Sequence, residues 1–191
     1  QCCLVGSEMC IRDSSRPIEL TDNPQDWALN TSLTEDIDAV GQVYRAEAFI
    51  EDSNQERMPY ILRGFDQGFA SHGGLPLYQW DEQLGDDETE VWENVRLLEN
   101  VVILDASFGL EMNTDGTGIS MLSFSIGDSI FLIDLSNPGN KRFVTVAGFL
   151  EQSSYLFSPG VWMGDEIVKE QFDGRLTRMY VSLSDTETAS S

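Results

Sequence analysis

The chain has 191 residues, of which 33 are acidic and 11 basic, giving a formal net charge of −22. That much like-sign charge repels nucleic acid and anionic membrane surfaces, and Lys141, Arg142, Arg175 and Arg178 are too few to build a basic patch against it. Hydrophobic residues at 41% and aromatics at 10% argue against disorder in the body of the chain and supply a core for one domain, or two small ones.

In chain order, Cys3–Ser14 reads CLVGSEMCIRDS, which is similar to the conceptual translation of a sequencing-library adapter. Residues 1–14 are therefore expected to be an artefact, as on a metagenomic fragment, and to stand outside fold reasoning. All of Cys2, Cys3 and Cys10 lie in or beside that stretch, so the remainder has no disulfide and no thiolate metal site. Residues 15–31 are polar and proline-bearing, an extended linker. Ser32-Leu33-Thr34-Glu35 fits a capping box, and Leu33, Ile37 and Val40 recur at helical spacing, which predicts a short helix over Leu33–Val40 ended by Gly41. From Gln42 to Ile50, Tyr44, Ala46, Ala48 and Ile50 alternate with Arg45 and Glu47, a strand pattern with a continued helix as its rival.

Pro59–Leu62 reads as a short strand, Gly64–Gly74 as a glycine-rich loop whose Phe65 and Phe69 need burial, and Leu75–Trp80 as extended because proline holds its neighbour out of helix. The acidic run Asp86–Glu90 is expected to be mobile, as is the tail over residues 185–191. Strands are expected over Val95–Phe108, Ile119–Phe124, Ser129–Leu135, Arg142–Phe149, Ser154–Phe157 and Leu176–Leu183. Asp115-Gly116, Gly127-Asp128, Asn137–Asn140 and Asp173-Gly174 supply the turns. The sum is a mainly β (α+β) fold: one β-rich domain over residues 32–184, antiparallel, with one sheet face packed and the other wet.

Chemistry-bearing residues are sparse. His72 is the one histidine, and no nucleophile elbow accompanies it, so a solvent-exposed loop histidine is the favoured reading over a triad. Asp81/Glu82 and Asp165/Glu166 are adjacent acids, whereas glycoside hydrolysis needs two carboxyls held about 5–10 Å apart across a cleft. Glu111, Asn113 and Asp115 alternate ahead of Gly116, as oxygen ligands wrapping a calcium ion would. An EF-hand loop starts with Asp and ends on Glu at its twelfth position, where this chain has Glu111 and Leu122; a looser calcium site on a β-turn is the candidate that remains. No other cofactor is expected, and no enzyme.

One resemblance reaches further. Leu98, Glu99, Asn100, Val101, Leu104, Phe108, Gly109, Asp115 and Gly116 match, in order and spacing, the segment that marks PilW-type minor pilins of type IV pili. Gly74, Pro76, Leu77 and Tyr78 are similar to the lead that precedes it, with Gln79 in place of the usual Arg. Leu176, Met179, Val181, Ser182 and Leu183 resemble the closing strand, although Gly118–Gln171 is a long insertion for that family. The resemblance implies the pilin-like head of a minor pilin or pseudopilin, a structural subunit in filament assembly and cell adhesion. Its partners would be other pilin subunits, and its location extracytoplasmic, in the periplasm or on the cell surface. The membrane would be met only through a missing N-terminal helix, by which the parent is anchored in the inner membrane before assembly. Val101, Leu104, Ala106 and Phe108 would be sheet or core positions, with the Asp115 turn and the acidic loop near Asp86 facing partners or solvent.

A second resemblance competes. Ser107–Met112 and Phe172–Val181 are similar to the framing strands of laminin-G or concanavalin-like sandwiches, with Asn113 where that family has Trp. It implies a secreted domain binding carbohydrate or matrix, with Trp162 or Trp80 stacking on a sugar.

Overall fold

A computed structural model describes residues 2–5, 8–12, 37–72, 74–105, 124–151 and 160–183. Its elements in chain order are β1 (Cys2–Val5), β2 (Glu8–Arg12), β3 (Ile37–Glu51), β4 (Arg57–Phe65), α1 (Gln67–Ser71), β5 (Leu77–Trp80), a 3₁₀ turn (Glu82–Leu84) and α2 (Glu88–Leu97). There follow β6 (Val101–Leu104), β7 (Ser129–Asp134), β8 (Lys141–Leu150), β9 (Gly160–Gly164), α3 (Asp165–Phe172) and β10 (Arg175–Leu183).

The fold is mainly β, as the alternating runs imply, and it closes on itself. Strand β3 pairs with β4, β4 with β9, β9 with β6, β6 with β8, β8 with β7, and β7 returns to β3, so six strands form a ring. Two of these pairings, β4 with β9 and β6 with β8, are parallel, so the sheet is mixed where antiparallel neighbours were expected. Parallel pairing requires a crossover between strands distant in sequence, which turn chemistry does not announce. Outside the ring, β5 extends β8, while β10 runs along the first half of β3 and carries β2 and β1 beyond it.

Period-two alternation fills the ring. Ala46, Ala48 and Ile50 of β3, Tyr60 and Leu62 of β4, Val102 and Leu104 of β6, Ile130 and Leu132 of β7, Val144 and Val146 of β8, and Val161 and Met163 of β9 are buried together. Helix α3 adds Val168 and Phe172 to that cluster. The opposite parity of the same strands, Phe65, Ile103, Ala147 and Trp162, packs against α1 and α2 in a second cluster. Both faces of that half of the wall are therefore buried.

The helices explain three departures from expectation. Asp87 caps α2 by accepting the Glu90 N–H at 2.9 Å, Glu90 in turn accepts the Asp86 N–H at 2.8 Å, and Arg96 sits in the last turn, all favourable to the helix dipole. The acidic run expected to be mobile is this helix start, and the strand expected from Val95 begins only at Val101. The Gly64–Gly74 loop holds α1, where Asp66 caps by accepting the Phe69 N–H at 2.9 Å. Gly68 is required there because a Cβ would lie 2.0 Å from the Val40 carbonyl oxygen. Within the expected helix Leu33–Val40, residues 37–40 belong to β3, where pairing with β10 satisfies their backbone; residues 33–36 lie outside the described residues.

The β3–β4 hairpin turn carries a local strain. Gln55 has φ 66°, a left-handed conformation that costs an L-residue, while Asp52 gathers the turn by accepting from the Asn54 and Glu56 N–H groups at 2.9 and 2.8 Å. Gln55→Gly is expected to raise stability by about 0.5–1 kcal/mol, read as a higher thermal midpoint, since glycine adopts that φ without a Cβ penalty.

Candidate interaction surface

Closing the ring forces β3 to change partners along one edge. Its pairing with β10 runs as far as Arg45 opposite Arg175, and its pairing with β7 starts at Ala48 opposite Asp134. Ala46 and Glu47 fall between, where β10 and β7 diverge. The wedge they leave is an open groove of roughly 520 Å³. Ala46 and Phe172, both buried core residues, reach its floor; Leu135, 38% exposed, forms one wall, and Arg45, Arg175, Glu47 and Asp173 stand around it.

Local chemistry shapes both banks. Asp134 accepts the Ser136 N–H and hydroxyl, each at 2.8 Å, which fixes the turn that presents Leu135. On the other bank a register shift between Leu176 and Arg178 takes Thr177 out of the ladder, and its hydroxyl donates to the Val43 carbonyl at 3.2 Å. Arg45 meets Glu47 at 3.2 Å and Arg175 meets Asp173 at 3.4 Å, both pairs in solvent.

A second exposed feature lies on the outer face of β4, β3, β7 and β8. Arg57, Glu51, Phe131 and Phe143 stand in one cross-strand rung, and Pro59, Phe49, Ile133 and Lys141 in the next. Phe131 and Phe143 meet edge-on at 5.4 Å, and Phe143 is half exposed. Glu51 is buried in this plate by its own partners, Lys141 and Arg57, the latter at 2.6 Å. Their hydrogen bonds, Lys141 first, hold its carboxyl below the ordinary value of 4.5.

A carboxyl depressed in the folded state contributes stability that is complete above its unfolded value and is lost as pH falls through the folded one. Urea midpoints of the parent and a Glu51→Gln variant should therefore differ by a constant amount from neutrality down to about pH 4.5 and converge below it.

Beneath the helical layer sits a buried polar node. Asp105, fully buried, accepts the Gly160 N–H at 2.8 Å and the Trp162 indole N–H at 2.9 Å, while its own N–H donates to the Gly160 carbonyl at 3.0 Å. The Arg63 guanidinium lies 5.3 Å from the Trp162 ring. Burial, then the nearby Arg178, pushes Arg63 down to about 10, opposed by Asp105, so it keeps its charge at neutral pH. Gly160 is needed for this approach, since a Cβ would come within 2.5 Å of Arg63 Nε. The node locks β4, β9 and the end of β6 into one wall.

A further polar group joins α1 and α3 to β3. Asp66 also accepts the Gln42 N–H at 2.9 Å, Tyr44 donates to Gln42 at 2.7 Å, and Lys169 pairs with Asp165 at 2.6 Å while standing 4.8 Å over the Tyr44 ring. Burial pushes the Asp66 carboxyl up against the two N–H groups that lower it. Asp66 thereby caps the start of α1 and ties it to β3, while the Lys169–Asp165 pair lies one turn apart along α3.

The residues singled out in the sequence are dispersed. Glu111, Asn113 and Asp115 lie outside the described residues, as do Ala106 and Phe108. His72 is exposed and contacts its own helix end, the Gly68 carbonyl at 3.0 Å and Ser71 Oγ at 3.2 Å. Asp81 accepts the Gln83 N–H at 3.0 Å, and Asp165 is taken by Lys169. Among the described residues no group of three or more His, Cys, Asp or Glu is placed to hold a metal. Trp162 is fully buried on Asp105 and offers no open face to a sugar, while Trp80 is partly buried against the helical cluster and donates its indole N–H to the Gly85 carbonyl at 3.1 Å.

No family model matches the chain, and no curated protein matches it either. Solved structures do. The periplasmic region of MacB from Actinobacillus actinomycetemcomitans superposes with a TM-score of 0.51 at 17% identity, over 86% of this chain and 66% of that one. The extracellular domain of the noncanonic ABC-type transporter YknZ from Gram-positive bacteria gives a TM-score of 0.53 at 13% identity, over 94% of this chain and 84% of that one. The chain thus spans just under two thirds of the MacB region.

This shared fold overturns the expected pilin identity, together with pilin subunits as partners, the pilus as location, and filament assembly and adhesion as role. Of the matching segment, Leu97 ends a helix, Glu99 and Asn100 turn and Val101 opens a strand, so the continuous strand expected from Val95 is a helix end joined to a shorter strand, and Phe108, Gly109, Asp115 and Gly116 lie outside the described residues. The lectin alternative falls on the same structures, and a closed ring with parallel pairings is not a two-sheet sandwich, so carbohydrate loses its support as a partner. No helix among the described residues is long and apolar enough to cross a membrane.

Proposed function

We propose that this chain is an extracytoplasmic domain of an ABC-type permease, a binding module that works by holding partners of the transport machinery and not by catalysis. The observation that carries the proposal is the match to the YknZ extracellular domain across 94% of the chain, supported by the MacB periplasmic region. The physical design suits the role. Among the described residues each strand of the ring has neighbours on both sides, with the gap at Ala46 and Glu47 of β3 the break between two of them, and the doubly buried wall and the Asp105 node make it a stiff body that can pass a displacement between partners and membrane. The exposed groove and aromatic plate are the surfaces such partners would meet.

Affinity purification of the full-length parent from detergent-extracted membranes tests this. Co-purification of a nucleotide-hydrolysing ATPase subunit, identified by mass spectrometry, is the expected result; recovery in sheared filaments with no ATPase would refute it.

A further inference from the structure

We propose that Arg142 is a coupling pin: it ties the exposed turn between α2 and β6 to the far end of α3, so that a change at the turn reaches the helix that packs into the ring. This coupling stands whether or not the domain belongs to a transporter. Arg142 is the second residue of β8, its side chain is only 13% exposed, and its guanidinium is shared between two elements distant in the chain. On one side Nε donates to the Glu99 carbonyl at 3.0 Å, and Nη2 donates to the Glu99 carboxylate at 3.1 Å and to Asn100 Oδ1 at 3.3 Å. On the other side Nη1 donates to Gln171 Oε1 at 2.7 Å, in the last turn of α3. The guanidinium is a rigid planar fork, so moving either set of acceptors turns the whole group and disturbs the other set.

The two ends differ in kind. Leu97, Leu98, Glu99 and Asn100 are all exposed, whereas α3 places Val168 and Phe172 in the inner cluster of the ring. Among the described residues no hydrogen bond joins the turn to α3 directly, and Arg142 bridges them. Asn140, two residues earlier, donates to the Gln171 carbonyl, so the start of β8 grips both the backbone and the side chain of that residue. The opposite end of α3 meets the same junction: its N-cap, Gly164, packs so closely on the last turn of α2 that a Cβ would lie 2.4 Å from the Arg96 carbonyl oxygen. Helix α3 is thus held at its start by α2 and at its end, through Arg142, by the turn that follows α2. The buried residues of α2 belong to the outer cluster, so the pin joins the two clusters that the wall separates.

A double-mutant cycle in the full 191-residue chain tests this, with Glu99→Ala and Gln171→Ala as the single changes and unfolding constants from urea titrations followed by tryptophan fluorescence. Once one anchor is gone the guanidinium is less ordered, and the second anchor contributes less. The double variant is therefore expected to retain an unfolding constant at least about threefold more favourable than the product of the single effects implies, although the two side chains do not meet. Repeating the cycle in an Arg142→Met background should abolish that excess, since methionine keeps an apolar stem and loses every donor. If that background does not fold, Arg142→Lys serves: a point charge cannot span both sets of acceptors, and the excess must shrink. An arginine that only finishes its own strand would give additive effects. Additivity in the parent chain, or an excess that survives loss of the guanidinium, would overturn the proposal.

Discussion

Asp105→Ala is expected to destabilise the protein by about 3–5 kcal/mol, because it strips a fully buried carboxylate from two donors and from a buried cation. The Gly160 N–H and the Trp162 indole would lose their acceptor where water cannot replace it, and Arg63, held in the wall by burial, would lose a neighbouring negative charge. The same change leaves the end of β6 and the start of β9 joined only by backbone, the residue-105 N–H to the Gly160 carbonyl and a two-residue ladder, so the ring should open there first. Asp105→Asn keeps an acceptor oxygen but not the charge, and it should cost less than alanine and more than a surface substitution. Urea unfolding followed by tryptophan fluorescence checks both. A loss below about 1 kcal/mol for alanine would mean that the node is not a structural element.

The second large effect belongs to Trp92, the centre of the helical layer. Its ring is fully buried and meets Phe65 edge-on at 4.8 Å, Phe69 at 5.3 Å and Trp162 at 5.9 Å, while its indole donates to the Leu75 carbonyl at 3.0 Å. Trp92→Ala should cost about 3–5 kcal/mol through the cavity and the lost contacts. The inner cluster of the ring contains no residue of α2, so near-UV circular dichroism should fall sharply while the strand signal persists at temperatures below the midpoint. Trp92→Phe, which restores most of the volume, should recover more than half of the loss.

These two sites show what the sequence made legible. The alternating runs of β3, β4, β7, β8 and β10 were readable because period two is imposed by the strand itself, and it separates Ala46, Ala48 and Ile50 from Arg45 and Glu47 without knowledge of partners. Helix α2 was not read, since Val91, Trp92 and Val95 are strand-prone residues; its available signal was Asp87 with Glu90 three positions on. Asp105 had a weak signal, a carboxylate directly after Val-Val-Ile-Leu, where burial demands a partner. The Arg45–Arg175 pair had none, because register between strands so distant in the chain is decided by closure of the ring and not by local spacing. The pilin resemblance failed for the related reason that spacing of apolar residues does not distinguish a helix end joined to a strand from one continuous strand.

The reading frame that encodes this chain tests the proposed transporter role most directly. The proposed function predicts that this domain is encoded in frame with several membrane-spanning segments of a permease, beside or fused to an ATPase. A single apolar helix opening after a Gly-Phe-x-x-x-Glu cleavage signature, with no other membrane span, would contradict it.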